Sequence, residues 1–417
     1  MTRLYSLLYI TFLMFCVSGM KAQDTLGIRN VLLDNLVVKG NKVSPVKEMT
    51  DGSMLWEMSS MDDLPKILGN SDPIHYTQML PGIGTNAEYQ SGIHIQGCDN
   101  SHNIVSINGV PLYNVNHLLG FFSIFNASHF STLNIRKSLY DVSTANRLGG
   151  GLDMETNDNI PDSTNGEFAL GLISSQGTLR TPLGRRTSMT LSLRGSYINM
   201  LYGSWLKADN TQIEYSFYDC NFTLCHHIDD RNTVTIDFYA GNDTGNLNES
   251  SYLSDNALKW GNVMGSLRWK HHGHGFNVNQ TIYSTYYHNK FMLTMQDNNY
   301  ALKSSNMDLG YKGNITAGRW DIGLDAVWHN IQPQYLDNNN TYNVTSGNPE
   351  RQYSSEASAF VRYSLHLRKH STMIFGARAT LYSADGNHFG SADPSLAFMY
   401  DNSTVALSVS CYLRHQY

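Results

Sequence analysis

Trp320-Asp321-Ile322-Gly323-Leu324-Asp325-Ala326-Val327-Trp328 puts an apolar side chain on every second residue, with Asp, Gly, Asp and Val between them. Side chains of a β-strand point alternately to its two faces, so this stretch makes a strand with one apolar and one mostly polar face. The period recurs upstream, where Val234, Ile236 and Phe238 alternate with Thr233, Thr235 and Asp237. Downstream, Ala357, Ala359, Val361, Tyr363, Leu365 and Leu367 alternate with a mostly polar set that includes Arg362 and His366. Sustained over roughly ten residues, this is the pattern of a tilted strand with lipid on one side and a wet lumen on the other.

The connections between such strands come in two kinds. Tight turns are expected at Gly184-Arg185-Arg186, Asp229 to Asn232, His271 to Gly275, Thr316 to Arg319, Arg368 to Ser371 and Asp401 to Ser403. Longer polar stretches such as Asn242 to Asn256 and Asn330 to Glu350 are expected to be loops. Short turns at one rim and long loops at the other belong to outer-membrane barrels, and two strands per tight turn gives about twelve. No long apolar run offers a spanning helix, and lipid demands that every backbone group be paired within a ladder. Residues 159–417 therefore read as an antiparallel transmembrane β-barrel.

Composition agrees with a β-rich membrane chain. Charged residues make up 15% of the 417 residues, tyrosines number 25, and the formal charge is -6. A soluble domain carries about a quarter charged residues. The mild negative charge, without a basic stripe, gives nucleic acid no electrostatic footing. At the start, Arg3 precedes the apolar run Leu4 to Val17, followed by the small residues Ser18, Gly19 and Ala22. That is a signal peptide, residues 1–22, cleaved after Ala22 and too short to span a bilayer. Of five cysteines, Cys16 lies in the signal, leaving Cys98, Cys220, Cys225 and Cys411 with no metal-type or disulfide-type spacing. Cys220 and Cys225 are expected on opposite faces of one strand, as packing residues.

Residues 23–50 are expected to form a flexible segment with one apolar patch, Leu36-Val37-Val38. Residues 51–158 read as a compact α+β domain. Asp72 is placed to cap a short helix, Pro73 suits its first position, and Pro81-Gly82 stops it. Strands are expected at Ile93 to Gln96, Ile104 to Ile107 and Leu133 to Arg136, with Asn108-Gly109 supplying the positive backbone angles of a tight hairpin. Gly149-Gly150-Gly151 would let one backbone pass close to another.

Several of these stretches occur in a family's order. Ile93-His94-Ile95-Gln96-Gly97, Ile104 through Asn108-Gly109-Val110-Pro111-Leu112-Tyr113-Asn114, and His117-Leu118-Leu119-Gly120-Phe121-Phe122 are followed by Leu133 to Ser138 and Arg147-Leu148-Gly149-Gly150-Gly151. Together they are similar to the plug of TonB-dependent outer-membrane receptors, over roughly residues 60–158. Leu172 to Ser175 and Ser192 to Tyr197 resemble the first barrel hairpin of that family. Two positions depart from it: Gln96 stands where arginine is usual and Asn108 where aspartate is usual. Charged groups there would tie plug to wall by charge-assisted hydrogen bonds, which neutral groups weaken.

The resemblance implies a function. Asp34, Leu36, Val37, Val38, Lys39 and Gly40 resemble a TonB box, whose aliphatic residues would add as a strand to a periplasmic TonB-type energy-transducing complex. The alternative reading of that stretch is the plug's own first strand. Ligand would meet the plug's outward loops, with Tyr89, Tyr113, His117, Phe121 and Phe122 as candidate contacts; packing of plug on wall is the alternative for each. The family takes up iron chelates, cobalamin, glycans and peptides. Implied partners are that small ligand, outer-membrane lipid, the barrel-assembly machinery and a surface lipoprotein.

Other clusters have plainer readings. Lys270-His271-His272-Gly273-His274-Gly275 sits at an expected hairpin tip, and Cys225-His226-His227 at a strand end. No nucleophile elbow, phosphate loop or paired-carboxylate motif marks an enzyme, and no metal or cofactor site is expected. Family barrels have about twenty-two strands, with the lumen plugged. About twelve strands would hardly house such a plug, so the expectation is a truncated receptor. The alternatives are a small pore, an enzyme or a non-transporting remnant of a split receptor.

Overall fold

A computed structural model of the chain describes residues 46–49, 52–85, 92–144, 147–204, 206–208, 211–249, 254–295, 298–338, 350–402 and 405–417. The plug half contains β1 (Val46–Glu48), β2 (Met54–Glu57), β3 (Ile83–Gly84), β4 (His94–Ile95), β5 (Ile104–Ile107), β6 (Val110–Pro111), β7 (Asn116–His117), β8 (Phe122–Ser123), β9 (Thr132–Arg136) and β10 (Gly151–Glu155). The wall contains β11 (Asn165–Leu170), β12 (Ser174–Gly184), β13 (Thr187–Ser196), β14 (Lys207–Ala208), β15 (Thr211–His227), β16 (Asn232–Glu249), β17 (Ser254–His272) and β18 (Phe276–Met295). It continues with β19 (Asn298–Ala317), β20 (Trp320–Asn338), β21 (Gln352–Arg368), β22 (Ser371–Ala384), β23 (Asn387–Asp401) and β24 (Ala406–Tyr412).

The plug is a six-stranded sheet in the order β1-β2-β9-β10-β5-β6. It begins at Val46, inside the segment expected to be flexible, because Val46 to Glu48 pair with Met54 to Trp56. The expected helix is present as α1 (Pro73–Thr77), and Asp72 accepts from the amides of Ile74 and His75 at 3.0 and 3.3 Å. Asn108 and Gly109 take φ of 49° and 78°, the paired positive angles of a two-residue hairpin, and join β5 to β6. The plug core includes Trp56, Met61, Ile74, Tyr76, Ile95 and Leu133, all buried.

The glycine run earns its place by close approach. A Cβ on Gly150 would lie 2.5 Å from the Arg136 carbonyl oxygen and 2.5 Å from an Ile95 methyl. Gly150→Ala is expected to destabilise the plug by about 1–3 kcal/mol through overpacking. The measurement is protease resistance of the plug, which should fall while the wall stays intact.

The wall is one antiparallel sheet of thirteen successive strands from β11 to β24, with the short β14 paired to β15 beside this path. Twelve of them come from the six expected tight turns; β11, which pairs with β12, is the thirteenth. A second short helix, α2 (Ile198–Tyr202), follows β13. The two ends of the strand order, β11 and β24, do not pair with each other, so the barrel is open. Alternation is as expected: Trp320, Ile322 and Leu324 are exposed on one face while Asp321 and Asp325 are buried on the other. Trp320 lies tilted against Tyr363 and Trp328 stacks on Tyr353, which marks two aromatic levels. Eight residues separate the tryptophans, about 27 Å along the strand and about 21 Å along the normal at a tilt near 40°, close to an outer-membrane hydrocarbon band.

The loops are shorter than expected. Asn242 to Glu249 continue β16, and Asn330 to Asn338 continue β20, so much of each polar stretch is strand. Where both faces of a strand end meet water, a β-ladder persists without any apolar periodicity to reveal it. Cys220 and Cys225 fall on opposite faces of β15 and are free thiols.

Candidate functional site

The turn after β7 carries the plug's most unusual backbone. Leu118 and Leu119 are consecutive non-glycine residues at positive φ, 50° and 56°. Such angles cost free energy and persist only where surroundings impose them. Here the Leu118 amide donates to the Tyr215 hydroxyl at 2.7 Å and to Asp243 Oδ1 at 3.2 Å, both on the wall. The result pushes Leu119 outward, 68% exposed.

Immediately before it, His117 is sealed between two wall carboxylates. Its Nδ1 lies 2.6 Å from Asp243 Oδ2 and its Nε2 lies 3.0 Å from Asp219 Oδ2. Both ring nitrogens face acceptors, so both carry protons and the ring is an imidazolium. Burial alone would lower its pKa, but hydrogen bonds to Asp219 and Asp243 raise it above the usual histidine value. Arg194 of β13 completes the group: Nε donates to Asp219 Oδ2 at 2.7 Å, and a terminal nitrogen donates to the Ser123 carbonyl at 2.7 Å. The His117 ring stacks on Phe217 with centroids 4.6 Å apart. Two cations and two anions, all buried, thus join plug to wall.

Further ties run along the wall. Arg378 reaches Asp325 at 2.5 Å and the Val142 carbonyl at 2.9 Å, and Arg362 bridges Asp141 and Asp321 at 3.2 and 2.8 Å. Arg414 donates to the carbonyls of Leu139 and Thr144 at 2.7 and 3.1 Å. Asp158, past the plug sheet, pairs with Arg268 and Lys270 at 2.9 and 2.6 Å. A polar cavity of about 380 Å³ between plug sheet and wall is lined in part by Arg136, Asp153, Lys312, Asp321 and Arg362.

The two departures from the family pattern are placed differently. Asn108 Nδ2 donates to Asp237 Oδ2 of the wall at 2.8 Å, so the neutral amide meets a carboxylate where an aspartate would repel it. Gln96 is exposed at φ 56° in a plug turn beside Gly82, with Gly97 following at φ 79°; no bond from its side chain to the wall is described. Arginines that meet the plug are supplied here from the wall, by Arg194, Arg362 and Arg378. Gly109 accepts through its carbonyl from Lys312 at 2.6 Å, Pro111 lies in β6, and Gly149 and Gly150 pack against Asn103 and Ile95.

Of the candidate ligand contacts, His117 and Phe122 are fully buried in the plug–wall contact and do not face the mouth. Tyr113 donates to Asp308 at 2.6 Å, and burial, reinforced by that carboxylate, raises its pKa. Phe121 is half-buried, edge-on to Phe122. Tyr89 and the stretch from Asp34 to Gly40 lie outside the described residues. The histidines of the β17–β18 hairpin bond their neighbours: His271 to Asn232, His272 to Asn277 and His274 to Arg231.

Sequence reasoning missed an apolar collar inside the mouth. Register carries one lumen-facing row through Ile213, Leu247, Asn256, Leu293 and Tyr300. A second runs through Tyr215, Gly245, Leu258, Phe291 and Leu302. Ile213, Leu247 and Phe291 are each more than a third exposed although they face inward. Neither row carries a charged residue. The signal was hydrophobic residues appearing on the polar phase of strand ends.

No protein-family model matches the sequence, and no curated protein matches it. Solved structures do. The siderophore receptor PirA from Acinetobacter baumannii superposes with a TM-score of 0.61 at 14% identity, covering 88% of this chain and 61% of its own. A mutant of the ferric enterobactin receptor PfeA from Pseudomonas aeruginosa gives 0.61 at 13%, covering 88% and 62%. The chain has the receptor plug-and-barrel fold. The outer membrane transporter YddB from Escherichia coli shares it, with a TM-score of 0.61 at 12% identity, covering 84% of this chain and 59% of its own. The chain spans about three fifths of the length of these plug-and-barrel proteins.

Proposed function

We propose that this chain is the plug-bearing part of an outer-membrane receptor of the TonB-dependent class, exported by a cleaved signal peptide. In this reading it captures a scarce ligand at the mouth and takes it up at the expense of an inner-membrane motor. The observation that carries this is the combination of a plug fixed to the concave face of the wall and an apolar collar above the exposed Leu119. A passive pore has no use for a plug tied by buried ion pairs. The collar is uncharged, which favours a ligand that presents an apolar or aromatic face; aromatic iron chelates and hydrophobic peptides fit better than compact anions.

The plug's buried ties are polar, so a pull that parts them lets water take the place of each lost partner. The grip for that pull is Leu36 to Gly40, whose aliphatic residues would pair as a strand with the motor's periplasmic arm. The receptor is inserted by the barrel-assembly machinery and works with lipid around it; a surface lipoprotein is a further partner consistent with the mouth.

Deleting Leu36 to Gly40 is expected to abolish uptake by cells while leaving surface binding of the ligand intact. Uptake at the full rate after that deletion would overturn energised transport. A chain that neither binds nor transports, with its barrel inserted, would favour the remnant reading.

A further inference from the structure

The plug sheet has one apolar and one polar face. Val105, Ile107, Leu133, Ile135, Leu152 and Met154 fill the plug core. The alternate residues stand on the face turned to the wall, where register lines up Asn134, Asp153 and Ser106 across β9, β10 and β5. On the wall, register lines up Asn279, Asn314, Gly323 and Phe360 across β18 to β21. The polar cavity of about 380 Å³ is the slot between these rows, and all of these residues except Gly323 line it. A Cβ on Gly323 would lie 2.3 Å from Phe360 Cε1, so the bare glycine is what lets the ring lie along the wall. The slot is reached from the tight-turn rim. Asn279, Asn314 and Thr316 also line a neighbouring basin of about 410 Å³, together with Lys270, His272 and Asn277 of the β17–β18 hairpin.

The chemistry of the lining selects what fits. Its charges are taken up within the protein. Arg362 pairs with Asp141 and Asp321 at 3.2 and 2.8 Å, Arg136 donates to the Thr144 hydroxyl at 2.9 Å, and Lys312 to the Gly109 carbonyl at 2.6 Å. Asp153 accepts from the Ser106 hydroxyl at 2.6 Å and from the Gly109 amide at 2.8 Å. A charged ligand would have to displace these partners. What remains unpaired is neutral: the buried amide oxygens of Asn134 and Asn279 have no hydrogen-bond partner in the protein. A buried acceptor left bare is costly, so each calls for a donor. One of them stands on the plug and the other on the wall.

We propose that this slot binds a neutral, hydroxyl-rich ligand of one or two sugar rings. A hydroxyl donates and accepts at once, which suits a lining of amides, hydroxyls and partnered charges. Hydroxyls on the ring's edge reach Asn134 and Asn279, while its C–H face packs on Phe360 by dispersion. The volume lies within the range of small-ligand sites, about 300–1,000 Å³. A ligand held by plug and wall together stabilises the docked plug by mass action. The slot is separate from the mouth, since Asn279 lies twelve residues along β18 from Phe291 of the collar. It stands on the plug–wall contact and not on the uptake reading.

The test follows amide hydrogen exchange of β5, β9 and β10 in the full chain, with glucose and maltose as the probes. Exchange is expected to slow saturably, by about tenfold at ten times the dissociation constant of the bound sugar. Glycine betaine at equal osmolality acts only by exclusion from the surface and is expected to leave out this saturable part. The variant N134L/N279L keeps side-chain volume but removes both amides, and is expected to abolish the sugar dependence. N279L alone leaves the plug untouched and is expected to weaken it, while the wild-type measurement needs no variant to fold. Exchange that is the same with and without either sugar would show that the slot holds water only and overturn the proposal. A slowing undiminished in N279L would place the sugar elsewhere and overturn the site. Slowing by inorganic phosphate in place of sugar would overturn the ligand class.

Discussion

Replacing Arg194 with methionine is expected to cost about 3–5 kcal/mol of plug attachment, the usual penalty for leaving one member of a buried ion group uncompensated. The four charges of the group balance: Arg194 and the His117 imidazolium against Asp219 and Asp243. Methionine keeps much of the side-chain volume over the Phe217 ring, which the guanidinium now faces at 5.6 Å. The loss is therefore electrostatic, and it is compounded by the Ser123 carbonyl losing its donor. Lysine does not restore the site, because a point charge cannot reach Asp219 and the Ser123 carbonyl as the planar fork does. Amide hydrogen exchange across β7 and β8 measures the effect. Protection there within about 1 kcal/mol of wild type would show that the lock does not hold the plug. The double variant R194M/D219L, which removes both partners, is expected to recover a good part of the loss, since no buried charge is then left bare.

This lock shows where a single sequence stops being legible. The wall was readable because its period of two is local: six tight turns between alternating runs each join paired neighbours. The plug was readable because Asp72-Pro73, Asn108-Gly109 and Gly150 each have a short-range conformational reason to be where they are. Asp237, Asp321, Asp325 and Arg362 were visible as charges on the polar phase, but phase says only that a residue faces inward. What each one meets depends on contacts such as His117 with Asp243, 126 residues apart, and Arg378 with Val142, 236 residues apart. The collar escaped for a related reason. At these strand ends apolar residues stand on the inward phase, so the two-residue period no longer distinguishes lumen from outside. The short β11 was missed because its tight connection to β12, Gly171-Leu172-Ile173, carries no polar turn residue to announce it.

Plug attachment is expected to weaken in acid through one residue, His129, by about 2–3 kcal/mol between pH 6.5 and 4.5. His129 is buried with Nδ1 2.8 Å from the Ser192 hydroxyl and Nε2 3.1 Å from the Thr223 hydroxyl of the wall. Burial, with Arg180 adding to it, pushes its pKa down to about 3, against a smaller opposing pull from Asp219. A released plug lets the ring take a proton near its ordinary pKa of about 6.5, whereas the docked ring stays neutral. Each pH unit below that value therefore favours release. The window closes near pH 4.5, below which carboxylates begin to titrate as well. On the alkaline side the sign reverses in origin but not in outcome. His117 and His75 have raised pKa values, burial opposing and Asp219 with Asp243, or Asp72, prevailing. Their stabilisation is complete below about pH 6.5 and is lost as pH climbs through the raised values. Protection of the plug against hydrogen exchange should thus pass through a maximum near neutrality. His129→Gln, which keeps a donor and an acceptor toward the two hydroxyls, is expected to flatten the acid limb and leave the alkaline limb unchanged. An acid limb of the same slope in that variant would remove His129 as its cause and leave the wall's own carboxylates to account for it.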